Sequence, residues 1–166
     1  DVQISLQGHL GQFYLVSGKA PGPIGASHPS NIPVGAYRAA DDGYVQIHCA
    51  TQVFWENLAK VMAANVEGLG GLPSDPRFAT PADRLTHREE LDRILRAAFA
   101  SKPREEWLKL LELGDIPAGP INDIGQALAD PQVLLRNMVV EVDHPTAGQY
   151  KTIGNPVKMG QEELFG

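Results

Sequence analysis

The order of helices and extended segments follows from one stretch of the chain, GDIPAGPINDIGQALADPQVLLRN, which occupies residues 114–137. Gly114 is expected to end a helix, because glycine enters the left-handed conformation at little energetic cost. Pro117 and Pro120 then exclude a helix, since proline lacks a backbone N–H and restricts the residue before it. The first half of the stretch therefore predicts a helix stop followed by an extended connection.

The second half of the same stretch predicts two short helices. Either Asn122 or Asp123 can cap the first helix, because a short polar side chain accepts hydrogen bonds from the free N–H groups of the opening turn. Asp130 is expected to start the second, with Pro131 at the first helical position, where proline is well tolerated. These signals define an architecture but indicate no chemistry.

Upstream of this stretch, a β-hairpin is predicted over residues 37–48. Its turn is Asp41-Asp42-Gly43, and its return strand, from Tyr44 to His48, alternates with a period of two. Asp-Gly favours a hairpin because the turn types available there need a positive φ. Thr51 then predicts the cap of a helix that ends near Asn65. The apolar face of this helix comprises Phe54, Trp55, Leu58, Val61 and Met62.

Two more helix starts are predicted before the opening stretch. Thr86-His87-Arg88-Glu89 fits a capping box, in which a hydroxyl caps the helix and a carboxylate follows three residues later. Ser101 is expected to cap the next helix, over residues 102–113. Strands are predicted at residues 138–142 and 149–153, joined by a turn at residues 145–148. The pattern predicts an α+β fold, with β-hairpins at both ends and a layer of helices between them.

The N-terminal part of the chain permits two interpretations. Residues 1–17 are apolar enough for a helix ended by Gly18, whereas the alternation in VQISL (residues 2–6) suits a strand equally well. Residues 18–35 hold four glycines and four prolines and predict a long loop. Long loops in compact proteins are usually functional or mobile, so residues 19–35 are the strongest candidate for contact with a ligand, with His28 and Asn31 as the polar side chains. A structural linker is the simpler explanation of the same residues.

Composition limits the classes of function. The 166 residues are 43% hydrophobic and 20% charged, as in an ordinary globular domain. Fourteen basic against twenty acidic residues give a net charge of −6, which argues against nucleic-acid binding. No apolar run approaches the length of a membrane span. The single Cys49 cannot form an internal disulfide, so a reduced, cytoplasmic setting is expected.

The residues that could carry chemistry form no recognisable catalytic pattern. None of the five histidines lies near another His or Cys at metal-ligand spacing, so no metal site is predicted. The adjacent carboxylates Asp41/Asp42, Glu89/Glu90 and Glu105/Glu106 are expected to be solvated, because catalytic carboxylates need surroundings that shift their pKa. No phosphate-binding loop, dinucleotide-binding glycine motif or nucleophile elbow occurs.

A series of short motifs adds a family resemblance. YRAADDGYVQI (residues 37–47) is similar to the pattern Y-x-(T/A)-x-D-G-x-V-x-I, and DPRF (75–78) with Arg84 and EL (90–91) to D-P-R-F…R…E-L. A third pattern, E-W…L…G-I-P-x-G-P-V-N-x-I, is similar to EWL (106–108) followed by GDIPAGPINDI (114–124). The order is continued by DPQ (130–132), RNM (136–138) and HP (144–145) with Gly148. Together these motifs, over residues 22–158, resemble the class III coenzyme A transferases, the group of formyl-CoA transferase and carnitine CoA-transferase.

This resemblance implies a division of the chain. In that family a small α+β domain is inserted into a larger Rossmann-like domain, and two subunits interlock. Residues 1–21 then correspond to a linker or helix from an absent large domain, residues 22–153 to the small inserted domain, and residues 154–166 to the start of the return. The family's nucleophilic aspartate lies on the large domain, so no catalytic residue is expected in this chain, which should be inactive alone.

The small domain of the family supplies a mobile loop that covers the reacting aspartate. In this chain the matching place, ahead of the hairpin, holds Gly22, Gly25, His28, Pro29 and Asn31. The loop departs from the consecutive glycines of formyl-CoA transferases and resembles the G-x-x-H-P form of other members. Such a lid excludes water from a hydrolysable anhydride, and glycines let its backbone approach closely.

The resemblance also implies partners. The substrates are expected to be a coenzyme A thioester and a small carboxylic acid, with no tightly bound cofactor, no metal, no nucleic acid and no membrane. The full-length protein is expected to form an interlocked homodimer, while the chain alone can be monomeric. Two alternatives stay open. The α-methylacyl-CoA racemases share the fold, although some have a glutamate at the position of Gly35, and a non-enzymatic interaction domain can use the same fold.

Overall fold

The computed structural model describes residues 1–20 and 22–158, and the chain divides into two units, Asp1–Ile121 and Asn122–Gly166. The first unit contains helices α1 (Val2–Leu6), α2 (Gly8–Ser17), α3 (Gln52–Asn65), α4 (Pro81–Thr86), α5 (Arg88–Phe99) and α6 (Arg104–Leu113), and strands β1 (Val34–Arg38), β2 (Tyr44–His48) and β3 (Ala118–Ile121). The second contains α7 (Ile124–Leu128), α8 (Pro131–Leu135), β4 (Val139–His144) and β5 (Gly148–Ile153). This mixture of helices and antiparallel sheets confirms the α+β class.

The first unit contains a three-stranded antiparallel sheet in the order β1-β2-β3. β1 and β2 form the predicted hairpin, with Tyr37 opposite Val45, and Asp42 in its turn has a φ of 64°. The extended segment predicted at the two prolines forms β3. It pairs with the other edge of β2, where Pro120 lies opposite Val45. β3 is an edge strand, and a residue without an N–H is tolerated there. The sequence predicts the extended conformation of this segment but not its pairing with the hairpin.

Aromatic side chains hold the helices against this sheet. α5 packs on β1, and α6 packs on β2 and β3. The centroid of the Phe99 ring lies 4.8 Å from the centroid of the Tyr37 ring and 4.8 Å from that of the Trp107 ring. Trp107 is fully buried, and its Nε1 donates a hydrogen bond to the carbonyl oxygen of Phe99 at 2.8 Å. The one polar atom of this indole is therefore satisfied inside the core.

Gly114 ends α6 as predicted, but for a different reason. Its φ is −82°, outside the left-handed region, and Asp115 takes a φ of 53° instead. A Cβ on Gly114 would lie 2.7 Å from Val61 Cγ2 and 3.0 Å from Ile116 Cδ1. Glycine is therefore required by the close approach of α3 to the end of α6, and not by the backbone conformation.

The capping box predicted at residues 86–89 is wrong. Thr86 lies inside α4, where its hydroxyl donates to the carbonyl oxygen of Ala82 at 3.0 Å. The capping box is formed instead by Thr80 and Asp83, with Pro81 at the first helical position. Both threonines are followed three residues later by a carboxylate, so the spacing alone does not distinguish them.

Ser101 does not cap α6. Its hydroxyl donates to the carbonyl oxygen of Ala98 at 2.6 Å, and the helix begins at Arg104. The N–H of Arg104 donates instead to Asp41 Oδ1 at 3.1 Å, an oxygen that also accepts from the N–H of Gly43. The acceptor therefore comes from the hairpin turn, which is distant in sequence and invisible to a local pattern.

The remaining predicted caps are confirmed. The hydroxyl of Thr51 accepts from the N–H of Phe54 at the start of α3, and that helix ends at Asn65 as predicted. Asp123, and not Asn122, caps α7, and Asp130 caps α8. Each cap satisfies an N–H group that has no partner within its own helix.

The second unit contains the second predicted hairpin. β4 and β5 pair with Val142 opposite Tyr150, and both strands are longer than predicted. Among the described residues of this unit only Gly154 is buried, and its N–H donates to the carbonyl oxygen of Met138. Part of the segment predicted to return to a large domain, residues 159–166, lies outside the described residues, as does Pro21.

The N-terminal segment is helical, so the strand interpretation is wrong. α2 ends at Gly18, which adopts the left-handed conformation with a φ of 67°. No described side chain of α1 or α2 is buried. The exposed apolar side chains Val2, Ile4, Leu6, Leu15 and Val16 each retain 73–80% of their accessible surface.

Candidate functional site

Residues 22–31, the 22–31 loop below, lie ahead of β1 as the sequence predicts. Gly22 and Gly25 are exposed with open space around their Cα atoms, and Gly25 has a φ of 64°. A turn forms at Gly25, where the hydroxyl of Ser27 donates to the carbonyl oxygen of Ile24 at 2.6 Å. A side chain with a Cβ would be strained at Gly25 by conformation, although not by contact.

His28, Pro29 and Asn31 belong to one compact turn within this loop. The Nδ1 atom of His28 accepts hydrogen bonds from the backbone N–H groups of Ser30, at 3.2 Å, and Asn31, at 3.0 Å. Because backbone N–H groups only donate, Nδ1 carries no proton in this turn, and the proton of the neutral ring is on Nε2. His28 is therefore tied to the local backbone.

The same turn occurs a second time in the chain. Nδ1 of His144 accepts from the N–H groups of Thr146, at 3.3 Å, and Ala147, at 3.2 Å, between β4 and β5. Both copies have the sequence His-Pro-(Ser/Thr)-x. A turn of this kind thus serves as an ordinary hairpin connection elsewhere in the molecule, which assigns Pro29 and the Nδ1 of His28 a structural role.

Two arginines hold the C-terminal half of the 22–31 loop and the residue that follows it. Nε of Arg84 donates to the carbonyl oxygen of Ile32 at 2.9 Å. Nη2 of Arg88 donates to the carbonyl oxygen of His28 at 3.2 Å. Nη1 of Arg88 lies 3.5 Å from the carbonyl oxygen of Pro29. The family motif includes Arg84 without indicating this role, and no sequence signal singles out Arg88.

Arg84 is a cation buried among neutral groups, with 2% of its surface exposed. Besides Ile32, its guanidinium donates to the carbonyl oxygen of Phe78 and to Gln52 Oε1, each at 3.0 Å. It also lies over the ring of Trp55, 5.1 Å from the centroid. Burial lowers the pKa of Arg84 below its ordinary value. Each of the three nitrogen atoms of the guanidinium donates one hydrogen bond, so this arginine joins the residue after the loop to α3 and to the segment before α4.

The rest of the DPRF motif is structural as well. Asp75 accepts from the N–H of Arg77, and its carboxylate pairs with the Arg77 guanidinium at 2.6 Å. Glu90 pairs with the other side of the same guanidinium at 2.5 Å. The hydrogen bond from Arg77 lowers the pKa of Asp75. Phe78 is fully buried against Trp55. The motif therefore fixes the segment before α4 through the ion pairs of Arg77 and the burial of Phe78.

A cavity of about 120 Å³ lies between the 22–31 loop and α5. Its lining includes Ser27, Val34, Tyr37, Arg88 and Asp92. Tyr37 is buried, and its burial raises the pKa of the phenol well above the ordinary value. The loop therefore does not pack fully onto the helix beneath it.

A second, open cavity of about 570 Å³ lies beside the glycine-rich residues 68–71. Its walls include Leu69, Leu72, Arg77 and Ile94. The cation in this groove, Arg77, is already paired with two carboxylates. Among the described residues that line this groove, no unpaired cation is available to bind an anionic ligand.

Five of the six adjacent carboxylates noted in the sequence are exposed, and Glu90 is half-buried beside Arg77. Asp41 accepts hydrogen bonds in the hairpin turn, Asp42 pairs with Arg38, and Glu106 pairs with Lys102. Over residues 1–20 and 22–158, no group of three or more His, Cys, Asp or Glu side chains could hold a metal ion. No helix in that part of the chain is long and apolar enough to cross a membrane.

Comparison with known proteins gives consistent matches. The model of CoA-transferase family III matches residues 1–164. An acyl-CoA transferase of Fusarium pseudograminearum (strain CS3096) is 35% identical over 98% of this chain and 35% of its own length. The human succinyl-CoA:glutarate CoA-transferase is 30% identical over 98% of this chain and 36% of its own length.

A solved structure agrees with these matches. The crystal structure of a CAIB/BAIF family protein from Brucella suis has a TM-score of 0.74 at 28% identity, over 96% of this chain and 39% of that one. The chain thus spans little more than a third of the length of these relatives.

Proposed function

Because this chain belongs to CoA-transferase family III, we propose that it is the small domain, over residues 22–153, of an acyl-CoA:carboxylate CoA-transferase. In this proposal the 22–31 loop is a lid over the reacting group. The nucleophilic aspartate belongs to a large domain outside this chain, and no tightly bound cofactor or metal takes part. The observation that carries the proposal is the family match along residues 1–164.

The geometry of the 22–31 loop supports the role of a lid. Its N-terminal half is exposed and contains Gly22 and Gly25, around which there is open space. Its C-terminal half is held by Arg88, and the residue after it by Arg84. A loop that is exposed at one end and fixed at the other can close over a substrate and keep water from a reactive acyl group. His28 and Asn31 lie in the held half of this proposed lid.

The exposed helices α1 and α2 support the presence of a large domain. Four of their apolar side chains are more than three-quarters exposed, namely Ile4, Leu6, Leu15 and Val16. Apolar surface of this extent usually marks a site that another domain or subunit covers. We propose that residues 1–21 lead out of the large domain, that residues 154–166 return to it, and that two subunits interlock. A reducing cytoplasm is the proposed setting, since it suits the lone thiol of Cys49.

The test is an acyl-exchange assay on the full-length protein. Succinyl-CoA and isotope-labelled glutarate, the pair named for the human relative, and acetyl-CoA with oxalate would be followed by mass spectrometry. We expect the full-length protein to form labelled acyl-CoA with one of these pairs, and the 166-residue chain alone to form none. Acyl exchange by the isolated chain would overturn the assignment of the nucleophile to another domain.

The same protein distinguishes the alternatives. A racemase would instead exchange the α-hydrogen of a 2-methylacyl-CoA with solvent deuterium and leave the carboxylate unlabelled. A full-length protein that catalyses neither reaction would favour the interaction domain. The buried Gly35, opposite Ile47 in the sheet, favours the transferase over those racemases that have a glutamate there, since a carboxylate at this position would be desolvated.

A further inference from the structure

Arg84 and Arg88 hold the base of the 22–31 loop from opposite sides of the junction between α4 and α5. They are four residues apart, and His87 separates the two helices. Their guanidinium groups donate to the carbonyl oxygens of Ile32 and His28 at 2.9 Å and 3.2 Å. These acceptors are backbone atoms, so the contacts fix the path of the chain rather than the choice of side chain.

The restraint stops within the loop. The backbone from His28 to Ile32 is held by the two arginines and by the turn of His28. Residues 22–27 are exposed, and Ser27 borders the cavity of about 120 Å³. Within the described part of the chain, hydrogen bonds from distant side chains to the loop therefore begin at His28. Residues 22–27 have a local hydrogen bond, from Ser27 to Ile24, and lie next to a space into which the loop can move.

The chemistry of arginine suits this task better than that of lysine. A guanidinium is planar and can direct N–H groups at several carbonyl oxygens at once, whereas an ammonium is a single point of charge. Arg84 is buried and pairs with no carboxylate of the described residues, so the carbonyl oxygen of Ile32 is one of the few groups shown to solvate its charge. Release of that carbonyl would leave a buried donor unsatisfied, which is strongly unfavourable. The loop base is thus coupled to the core.

We propose that Arg84 and Arg88 are positioning residues that fix the base of the lid, so that only residues 22–27 move when it closes. This inference rests on the proposed function. A lid with a loose base admits water to the reacting acyl group. The water oxygen then adds to the acyl carbon, and the bond from that carbon to the sulfur of coenzyme A or to the oxygen of the enzyme's carboxylate breaks. The released carboxylic acid keeps one hydrogen of the water in its hydroxyl group, and the leaving thiolate or carboxylate takes the other as a proton. Loss of the hydrogen bonds from Arg84 and Arg88 to the loop, which we call the clamp, therefore raises the rate of hydrolysis relative to the rate of transfer.

The experiment uses the full-length protein with Arg88→Ala and Arg88→Lys, and with Arg93→Ala as the matched control. Arg93 lies on the same helix with a 78% exposed side chain. Hydrogen–deuterium exchange reports the backbone amides of His28 and residues 30–32, and an assay with succinyl-CoA and glutarate reports the ratio of succinate released to glutaryl-CoA formed. With Arg88→Ala we expect exchange to become roughly tenfold faster, as the loss of a hydrogen bond from a charged donor suggests, and the ratio to rise several-fold. Arg88→Lys should lie between wild type and Arg88→Ala, and Arg93→Ala should match wild type.

Each outcome decides a separate point. Unchanged exchange in Arg88→Ala would overturn the clamp. Faster exchange with an unchanged ratio, in an enzyme that transfers, would overturn its role in protecting the intermediate. A wild-type protein without any transfer would overturn the proposed function itself, and the exchange data would still decide whether Arg88 fixes the loop. Arg84→Lys serves as a second variant, and it should raise amide exchange at residues 30–32 and lower the unfolding temperature.

Discussion

At the scale of single residues, Gly114 shows how a correct prediction can rest on an incorrect cause. The sequence predicts that a glycine here ends a helix through its backbone freedom. In the structure the left-handed residue is Asp115, and Gly114 is required by the side chain of Val61. A local pattern contains no information about a neighbouring helix, so this reason could not be read from the sequence.

Gly114→Ala should therefore destabilise the protein by about 1–3 kcal/mol, the range typical of overpacking. Its matched control is Gly70→Ala, because a Cβ at Gly70 meets no atom within 4 Å. The control should leave stability unchanged or raise it slightly, since alanine restricts the unfolded chain. Urea denaturation of both variants measures the difference. Equal midpoints for the two would contradict the steric explanation.

Cys49 gives a pH-dependent prediction. Burial raises the pKa of its thiol from an ordinary value of 9.0 to about 12. As the pH rises above 9, the unfolded chain releases this proton while the folded chain keeps it, so the free energy of unfolding should fall. Below pH 9 both states keep the proton, and the thiol has no effect on the slope.

The measurement is the free energy of unfolding as a function of pH for wild type and Cys49→Ala. Tyr37, whose pKa burial also raises, contributes to both proteins. The wild type should therefore lose stability more steeply above pH 9 than the variant. Parallel curves would show that the thiol is not buried as the structure has it.

At the scale of secondary-structure elements, α4 shows that two threonines in similar sequence contexts have different roles. Thr80 caps the helix, because its hydroxyl accepts from the N–H of Asp83 at 3.2 Å, while Thr86 lies in the last turn. Thr80→Ala should cost about 1 kcal/mol of stability, as the loss of an N-cap usually does. Thr86→Ala should stay within about 0.5 kcal/mol of wild type. Thermal denaturation decides between them, and the reverse order would restore the assignment made from the sequence.

The elements also show which sequence signals are reliable. Thr51, Asp123 and Asp130 cap the helices that they were expected to cap, because each satisfies its own helix over a few residues. Ser101 fails as a cap because Asp41, from the hairpin turn, accepts from the first N–H group of α6. Local hydrogen bonds could thus be predicted, whereas those made between distant segments could not.

The candidate site follows the same rule. The position of Gly22, Gly25 and His28 in a loop before the hairpin could be predicted from composition and from the order of motifs. The anchoring of that loop could not, because Arg84 and Arg88 lie more than fifty residues away and bind backbone carbonyls, which any sequence supplies. The lid role itself stays a prediction until the full-length protein is assayed.

At the scale of the whole molecule, the first unit should fold without α1 and α2. Its aromatic core involves Tyr37, Phe99 and Trp107, and no described side chain before Gly18 is buried. Deletion of residues 1–17 should therefore leave the unfolding temperature unchanged and reduce self-association, since exposed apolar surface is removed. Calorimetry and analytical ultracentrifugation measure the two effects. A markedly lower unfolding temperature would show that the helices support the core.

The stretch that ends α6 also bears on colloidal behaviour. β3 lies at the edge of the sheet, and Pro120 removes one N–H from the row that an incoming strand would need. A proline at an edge strand acts as a gatekeeper, because it lets the strand complete its own sheet while it discourages addition of a strand from another molecule. Pro120, which prevents a helix at this point of the sequence, thus also disfavours intermolecular β-aggregation.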